Sequence, residues 1–124
     1  MKTEVENKDL ITIISHFNNL QREKISLGVK NRVQKISKMI LLEHYEPFNN
    51  LVLELCKKRN LIANDKGQYE PPEEFYKLSE YLELAQQKCT LTFDPIDWLL
   101  IKDIETTHVY DFDLLKAFFE NYSI

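Results

Sequence analysis

Apolar residues recur at intervals of three and four through the first half of the chain, and this spacing limits the fold more than any other feature. Leu10, Ile13, Ile14, Phe17 and Leu20 form one such series. Val29, Val33, Ile36 and Ile40 form a second, carried onward by Tyr45, Phe48, Val52 and Leu55. On a helix of 3.6 residues per turn each series falls along one face, so both predict amphipathic helices. The chain has only two glycines and four prolines. An all-β sandwich or barrel needs more tight turns than those residues supply. The expected fold is mainly α with a minor β component, in a single domain over residues 1–124.

The residues between the stripes set the expected boundaries. "MKTEVEN" alternates and predicts a short strand, Lys2 to Glu6, after which Asn7 or Asp9 can cap the first helix. Ser26 opens the second helix. Pro47 lacks the amide that would bond the Glu43 carbonyl, and its ring crowds that turn. The run from Ser26 toward Arg59 is therefore either one helix kinked near 43–47 or two helices, the second with Pro47 in its first turn.

Next comes "NLIANDKGQYEPPEEF", residues 60–75, where Gly67, Pro71 and Pro72 concentrate the backbone-bending residues. Asn64 to Gly67 suits a type I turn followed by a glycine at positive φ, which predicts a β-hairpin near residues 61–70. Pro71 and Pro72 cannot donate to a ladder, so they end it, and Pro72 fits the first turn of a helix over 73–87. Phe75, Leu78, Leu82 and Ala85 give that helix its apolar stripe. The stretch reads as the tip of an antiparallel helical hairpin, with Tyr69 packed beneath it.

"CTLTF", residues 89–93, predicts a second strand, placed to pair with residues 2–6. Asp94-Pro95 then looks like a cap and first-turn proline of another helix, with Trp98, Leu99 and Ile101 as its apolar side. "ETTHVY" is irregular, and Asp111 caps a final helix to about Glu120 that buries Leu114, Leu115, Phe118 and Phe119. Cys56 and Cys89 fall at opposite ends of the helical hairpin, roughly 20 Å apart at ~1.5 Å rise per residue, too far for a disulfide. Two cysteines of this kind make a reducing cytosol the expected compartment. No apolar run approaches a membrane span, and Met1 to Leu10 is too charged to be a secretion signal.

Charge is divided along the chain. Residues 1–69 carry twelve Lys/Arg against eight Asp/Glu, whereas residues 70–124 carry four against twelve, within a net of −4. Arg22, Lys24, Lys30, Arg32, Lys35 and Lys38 oppose only Glu23 in the most basic stretch. The first expectation is that the two halves fold against each other. The second is that these six residues form a partner surface, one that can also contact phosphates. The net negative charge and the lack of an interleaved aromatic platform weigh against nucleic acid.

No catalytic or ligand-binding motif stands out. His16, His44, His108 and the cysteines lack metal-ligand spacing, and no cofactor or metal is expected. His108 and Asp111 can form a hydrogen-bonded pair, but no nucleophile accompanies them. Asp94 and Asp97 are explained by capping rather than acid–base work. Gly28 and Gly67 are too far apart for a phosphate loop. The expectation is a protein that is not an enzyme.

The order of "NKDLITIISHFNNL", "KISLGVKNRVQKI", "NDKGQY", "LTFDPI" and "DFDLLKAFFE" resembles a family of small bacteriophage and prophage proteins of unknown function. The matching pieces are Asp65–Tyr69, Phe75–Leu84, Leu91–Ile96 and Leu114–Phe119, so the likeness spans nearly the whole chain. It departs at Pro47 and at Trp98–Ile101, where the family is more acidic. The resemblance implies a phage origin and action in the bacterial host cytoplasm, with no site residues to transfer. It suggests a protein that binds another protein, inhibiting a host factor such as an antiviral defence effector in the anti-CRISPR manner. The alternatives are an accessory of virion tail assembly and a nucleic-acid-binding protein using the basic helix 22–38.

Overall fold

In the computed structural model, which describes residues 1–123, the two apolar series lie on helices that face each other. Strand β1 (Lys2–Glu6) leads through a 3-10 turn into α1 (Leu10–Leu20), and α2 (Leu27–Ile40) follows. Every member of the first series and the four residues Val29, Val33, Ile36 and Ile40 are buried in one core. Ser26 caps α2 as expected, its Oγ accepting from the Val29 amide at 3.3 Å. The α1 cap differs from expectation, because neither Asn7 nor Asp9 bonds the first turn of α1 through its side chain. Asn7 is buried and points the other way. Its Nδ2 donates to the Leu84 carbonyl and its backbone amide to the Gln87 carbonyl, both at 2.9 Å. Carbonyls at a helix C-terminus lack intrahelical partners, so Asn7 closes that end of α4 (Ser79–Gln86) from across the fold.

The long helix is neither split nor interrupted. It runs from α2 through a π turn (Leu41–Tyr45) into α3 (Glu46–Lys58), with the Glu46 amide bonded to the Leu41 carbonyl five residues back. Pro47 explains the location. It cannot donate to the Glu43 carbonyl, and a locally widened turn relieves the crowding its ring would cause there. Upstream of this turn the helix packs on the main core; from Val52 onward it packs on a second, smaller cluster of Leu55, Cys56 and Phe75.

The end of α3 meets the start of α4, where Lys58 Nζ lies 3.2 Å from Glu80 Oε2 and Arg59 contacts the same carboxylate. The antiparallel helical hairpin is therefore present, and its charges suit both helix ends. Its tip is a loop rather than a β-hairpin. Gly67 has φ +74° and its amide donates to the Asn64 carbonyl at 2.9 Å, so the turn forms as expected. One backbone bond crosses it, from the Asn64 amide to the Gln68 carbonyl at 2.7 Å, but no ladder extends further, and the Asn64 side chain takes the amides of Lys66 and Gln68 at 2.9 and 3.0 Å. Tyr69 packs on the second cluster. The helix expected over 73–87 is also shorter. Glu73–Lys77 makes a 3-10 turn, Leu78 is extended at ψ 136°, and α4 starts at Ser79. The break lets Phe75 and Tyr81 meet within the cluster, 5.5 Å between centroids, and leaves Leu82 exposed.

Strand β2 (Lys88–Thr92) pairs antiparallel with β1, Val5 opposite Cys89 and Thr3 opposite Leu91, as the sequence suggests to within one residue. Beyond it the expected helix at Asp94-Pro95 does not form. Ile96–Asp97 is a strand, β3, paired in parallel with β4 (Phe119–Glu120). Asp97 rather than Asp94 acts as the cap, accepting from the Leu99 amide at 3.0 Å to open a 3-10 turn over Trp98–Leu100. Asp111 does cap α5 (Phe112–Leu115), accepting from the Leu114 amide at 3.2 Å, but helical structure ends at Phe118 rather than Glu120. Successive helical side chains diverge by about 100°, so Phe118 and Phe119 would point in different directions on a continued helix. The switch to β4 directs Phe118 onto Phe17 and Phe93, at 5.1 and 4.9 Å, and Phe119 onto Trp98 at 5.4 Å.

Candidate functional site: a basic helix face and an aromatic recess

The six basic residues do not form one surface. Lys30, Arg32, Lys35 and Lys38 lie on α2, and at about 100° per residue Arg32, Lys35 and Lys38 step round it roughly 60° at a time, so Lys38 stands about 120° and Lys30 about 160° from Arg32. Arg32 Nη1 donates to the Pro95 carbonyl at 3.1 Å, tying α2 to the β2–β3 connection. Arg32 and Lys35 border a groove of about 280 Å³ that also takes in Asn31 and Asp94. Lys38 belongs to a separate hollow beside Asn18 and Gln34. Arg22 and Lys24 sit in the exposed turn between α1 and α2.

Among the described residues, none of the six forms an ion pair, and oppositely charged halves meet in ion pairs only at Glu80. The two halves do fold onto one another through a shared core, but ion pairing between them is confined to that one point. Glu23 is engaged by neutral donors instead: Thr106 Oγ1 and, at 2.9 Å, the Tyr110 hydroxyl. The Thr106 bond first, with that of Tyr110, holds the Glu23 carboxyl below its usual range. Burial and then the neighbouring carboxylate push the Tyr110 hydroxyl far above its ordinary value.

The remaining candidate groups are dispersed. Asp97 is occupied by the Leu99 amide and by Asn121, while Asp94 lies in the α2 groove. His108 makes no bond with Asp111; its backbone amide donates to Thr106 and its ring lies 6.2 Å from that of Tyr110. His16 flanks the same tyrosine at 5.7 Å. No group of three or more His, Cys, Asp or Glu able to hold a metal occurs among the described residues. Cys56 is buried in the second cluster and Cys89 half-buried against the main core, both as thiols raised by desolvation. No helix among the described residues is long and apolar enough to cross a membrane.

The most developed concavity was not evident from the sequence. A recess of about 570 Å³ opens between the α1 end and the C-terminal segments, walled by Trp98, Tyr110, Phe112, Phe119 and Tyr122. The rings support one another: Trp98 meets Phe112 at 5.3 Å and Tyr122 at 4.8 Å, and Tyr110 meets Phe112 at 6.0 Å. Such edge and tilted contacts fix the rings in place. Within the lining, Val109 is 92% exposed and Phe112 37%. Lys102, Thr106 and His108 contribute the polar lining. The one available signal was the run "HVYDFD", aromatics alternating with acids in a stretch with no helical period. Its partners come from far along the chain, at Leu20, Trp98 and Tyr122. Comparison with protein-family models, curated proteins and solved structures returned no match.

Proposed function

We propose that this chain is a non-catalytic binding protein that acts by docking onto another protein, with the aromatic recess as its contact surface. The observation that carries this reading is the combination of preset aromatic walls with apolar side chains of the same recess, Val109 and Phe112, left open to solvent. A few rigid aromatic anchors at the centre of a contact are the features from which protein interfaces draw most of their energy. In the phage setting suggested by the resemblance, the partner is a host factor such as an antiviral effector; a virion tail component is the alternative.

Affinity capture from host and phage-infected lysates tests this. The wild-type chain should retain a defined partner that a Val109→Asp, Phe112→Asp variant, folded by circular dichroism, does not. Equal retention by both proteins, or none above a blank resin, overturns the proposal. Mass spectrometry of the retained protein separates a host factor from a tail protein.

A second reading is favoured by one observation, that the six basic side chains have no ion-pair partner among the described residues. It is nucleic-acid contact through Arg22, Lys24, Lys30, Arg32, Lys35 and Lys38. Phosphate contacts strengthen as salt falls. A gel-shift titration at low salt that shows no complex removes this reading.

A further inference from the structure

Strand β2 ends in the groove that α2 lines, and one of its edges has no partner. The bonds at both ends of the β1–β2 pair fix which backbone groups face outward. At one end the Met1 ammonium donates to the Phe93 carbonyl at 3.1 Å and the Phe93 amide to the Met1 carbonyl at 3.0 Å; at the other the Asn7 amide donates to the Gln87 carbonyl. Alternation then makes Thr3–Leu91 and Val5–Cys89 the bonded pairs between them. The amides and carbonyls of Lys88, Thr90 and Thr92 therefore point away from β1. No third strand and no loop backbone takes them among the described residues. The outer edge of β1 is guarded by the charges of Lys2, Glu4 and Glu6, whereas Thr90 and Thr92 are uncharged and exposed.

Across the groove from Thr92, Phe93 and Asp94 stands a ridge of α2 that runs from Gly28 to Met39. At ~1.5 Å per residue it is roughly 16 Å long, the length of about five extended residues. Arg32 and Lys35 are its cations, opposed in the lining by Asp94 alone, which pairs with neither. The Arg32 guanidinium gives one donor to the Pro95 carbonyl and keeps the others.

We infer that this groove takes an extended, acidic peptide segment, which adds to β2 as a third strand. Its backbone pairs with Thr90 and Thr92, and its carboxylates meet Lys35 and the free side of Arg32. Small aliphatic residues between them cover Ile36 and Met39. A second copy suits the edge less well. Antiparallel pairing of two such edges about Thr90 sets Lys88 opposite Thr92, adding like charge beside Arg32 and Lys35. Phosphates would use the two cations and leave the strand edge unpaired. The groove shares no residue with the aromatic recess, so the inference does not rest on the recess.

Amide exchange followed by NMR on the full chain reads the edge directly. In the free chain Thr90 and Thr92 should exchange fast, and Leu91, bonded to Thr3, slowly. A short synthetic peptide alternating valine and glutamate should slow Thr90 and Thr92, with an affinity that falls as salt rises. The counterpart with lysine at every glutamate should not. Lys35→Glu, at an exposed side chain, should weaken the glutamate peptide about three- to tenfold. Thr92→Pro removes an edge amide that makes no bond to β1 and should weaken it about tenfold, with folding verified by a thermal melt.

Shifts at Arg32 and Lys35 without slowed exchange at Thr90 and Thr92 overturn strand addition. Equal response to both peptides overturns the acidic assignment, and no response to either overturns the whole inference. Protection that grows with protein concentration in the absence of peptide assigns the edge to a second copy and overturns it too. A folded Thr92→Pro that binds like the wild type does the same; if that variant does not fold, Lys35→Glu and the exchange pattern decide.

Discussion

Replacing Phe118 by alanine tests the account of why the C-terminal segment abandons its helix. The ring is fully buried and touches both Phe17 and Phe93. Removing a fully buried phenylalanine forfeits its transfer energy and leaves a cavity, together about 3–5 kcal/mol. A domain of this size holds roughly 5–15 kcal/mol in all, so the loss is a large share. Phe112 is the internal control. It is 37% exposed at the recess, and its alanine variant should lose only about 1–2 kcal/mol. Urea unfolding followed by Trp98 emission and by far-ultraviolet circular dichroism reads both. With a denaturant slope of about 2 kcal/mol/M, Phe118→Ala should lower the midpoint by about 2 M and Phe112→Ala by less than 1 M. The two probes should report one transition in the wild type. Equal losses at the two positions, or a Phe118→Ala loss below about 2 kcal/mol, would show that burial of this ring does not decide the local geometry.

Three further outcomes follow from particular contacts. Asn7→Ala strands the partly buried Leu84 carbonyl and should cost about 1–3 kcal/mol in the same urea assay, with Asn7→Asp no better because a carboxylate cannot donate. Gly67→Ala meets no atom within 4 Å, so only the positive φ opposes it; a loss of about 1–2 kcal/mol with unchanged partner capture is expected. Glu80 is held below its usual pKa first by Lys58 and then by Arg59. A depressed carboxyl adds stability that is present above its unfolded value, near 4.3, and is lost as pH falls through the lower folded value. Thermal melts of the wild type should therefore decline in that acid range more steeply than those of Glu80→Gln.

Local periodicity explains which parts of this fold could be read in advance. The stripes of α1 and α2, the Ser26 cap and the β1–β2 pair depend on neighbours in sequence or on strong alternation, and all are found. The failures share a different origin. Asn7 serves a helix more than seventy residues away, and Asn64 uses its side chain where a strand would have used its backbone. Phe118 and Phe119 choose a conformation that suits separate parts of the core over the helical propensity of "LLKAFFE". The same distinction governs the site. A basic run is visible in one line of sequence, but the fold divides it between the α1–α2 turn and separate hollows along α2. The recess takes all of its lining but Leu20 from residues 98–123, a stretch in which no single helical or strand period marks the residues that converge.

The π turn at Leu41–Tyr45 has a thermodynamic consequence as well as a geometric one. It falls where the long helix passes from the main core to the second cluster, which has only three buried residues. Residues 46–86 thus form a unit with a small reserve of buried apolar area, joined to the rest mainly by the helix itself and by the bonds from Asn7. Such a unit can open while α1, α2 and the strand pair remain closed. Native-state amide exchange should accordingly resolve two free energies of opening, the lower in the second half of α3 and in α4. One continuous helix thereby belongs to two cooperative units, and its widened turn marks their border.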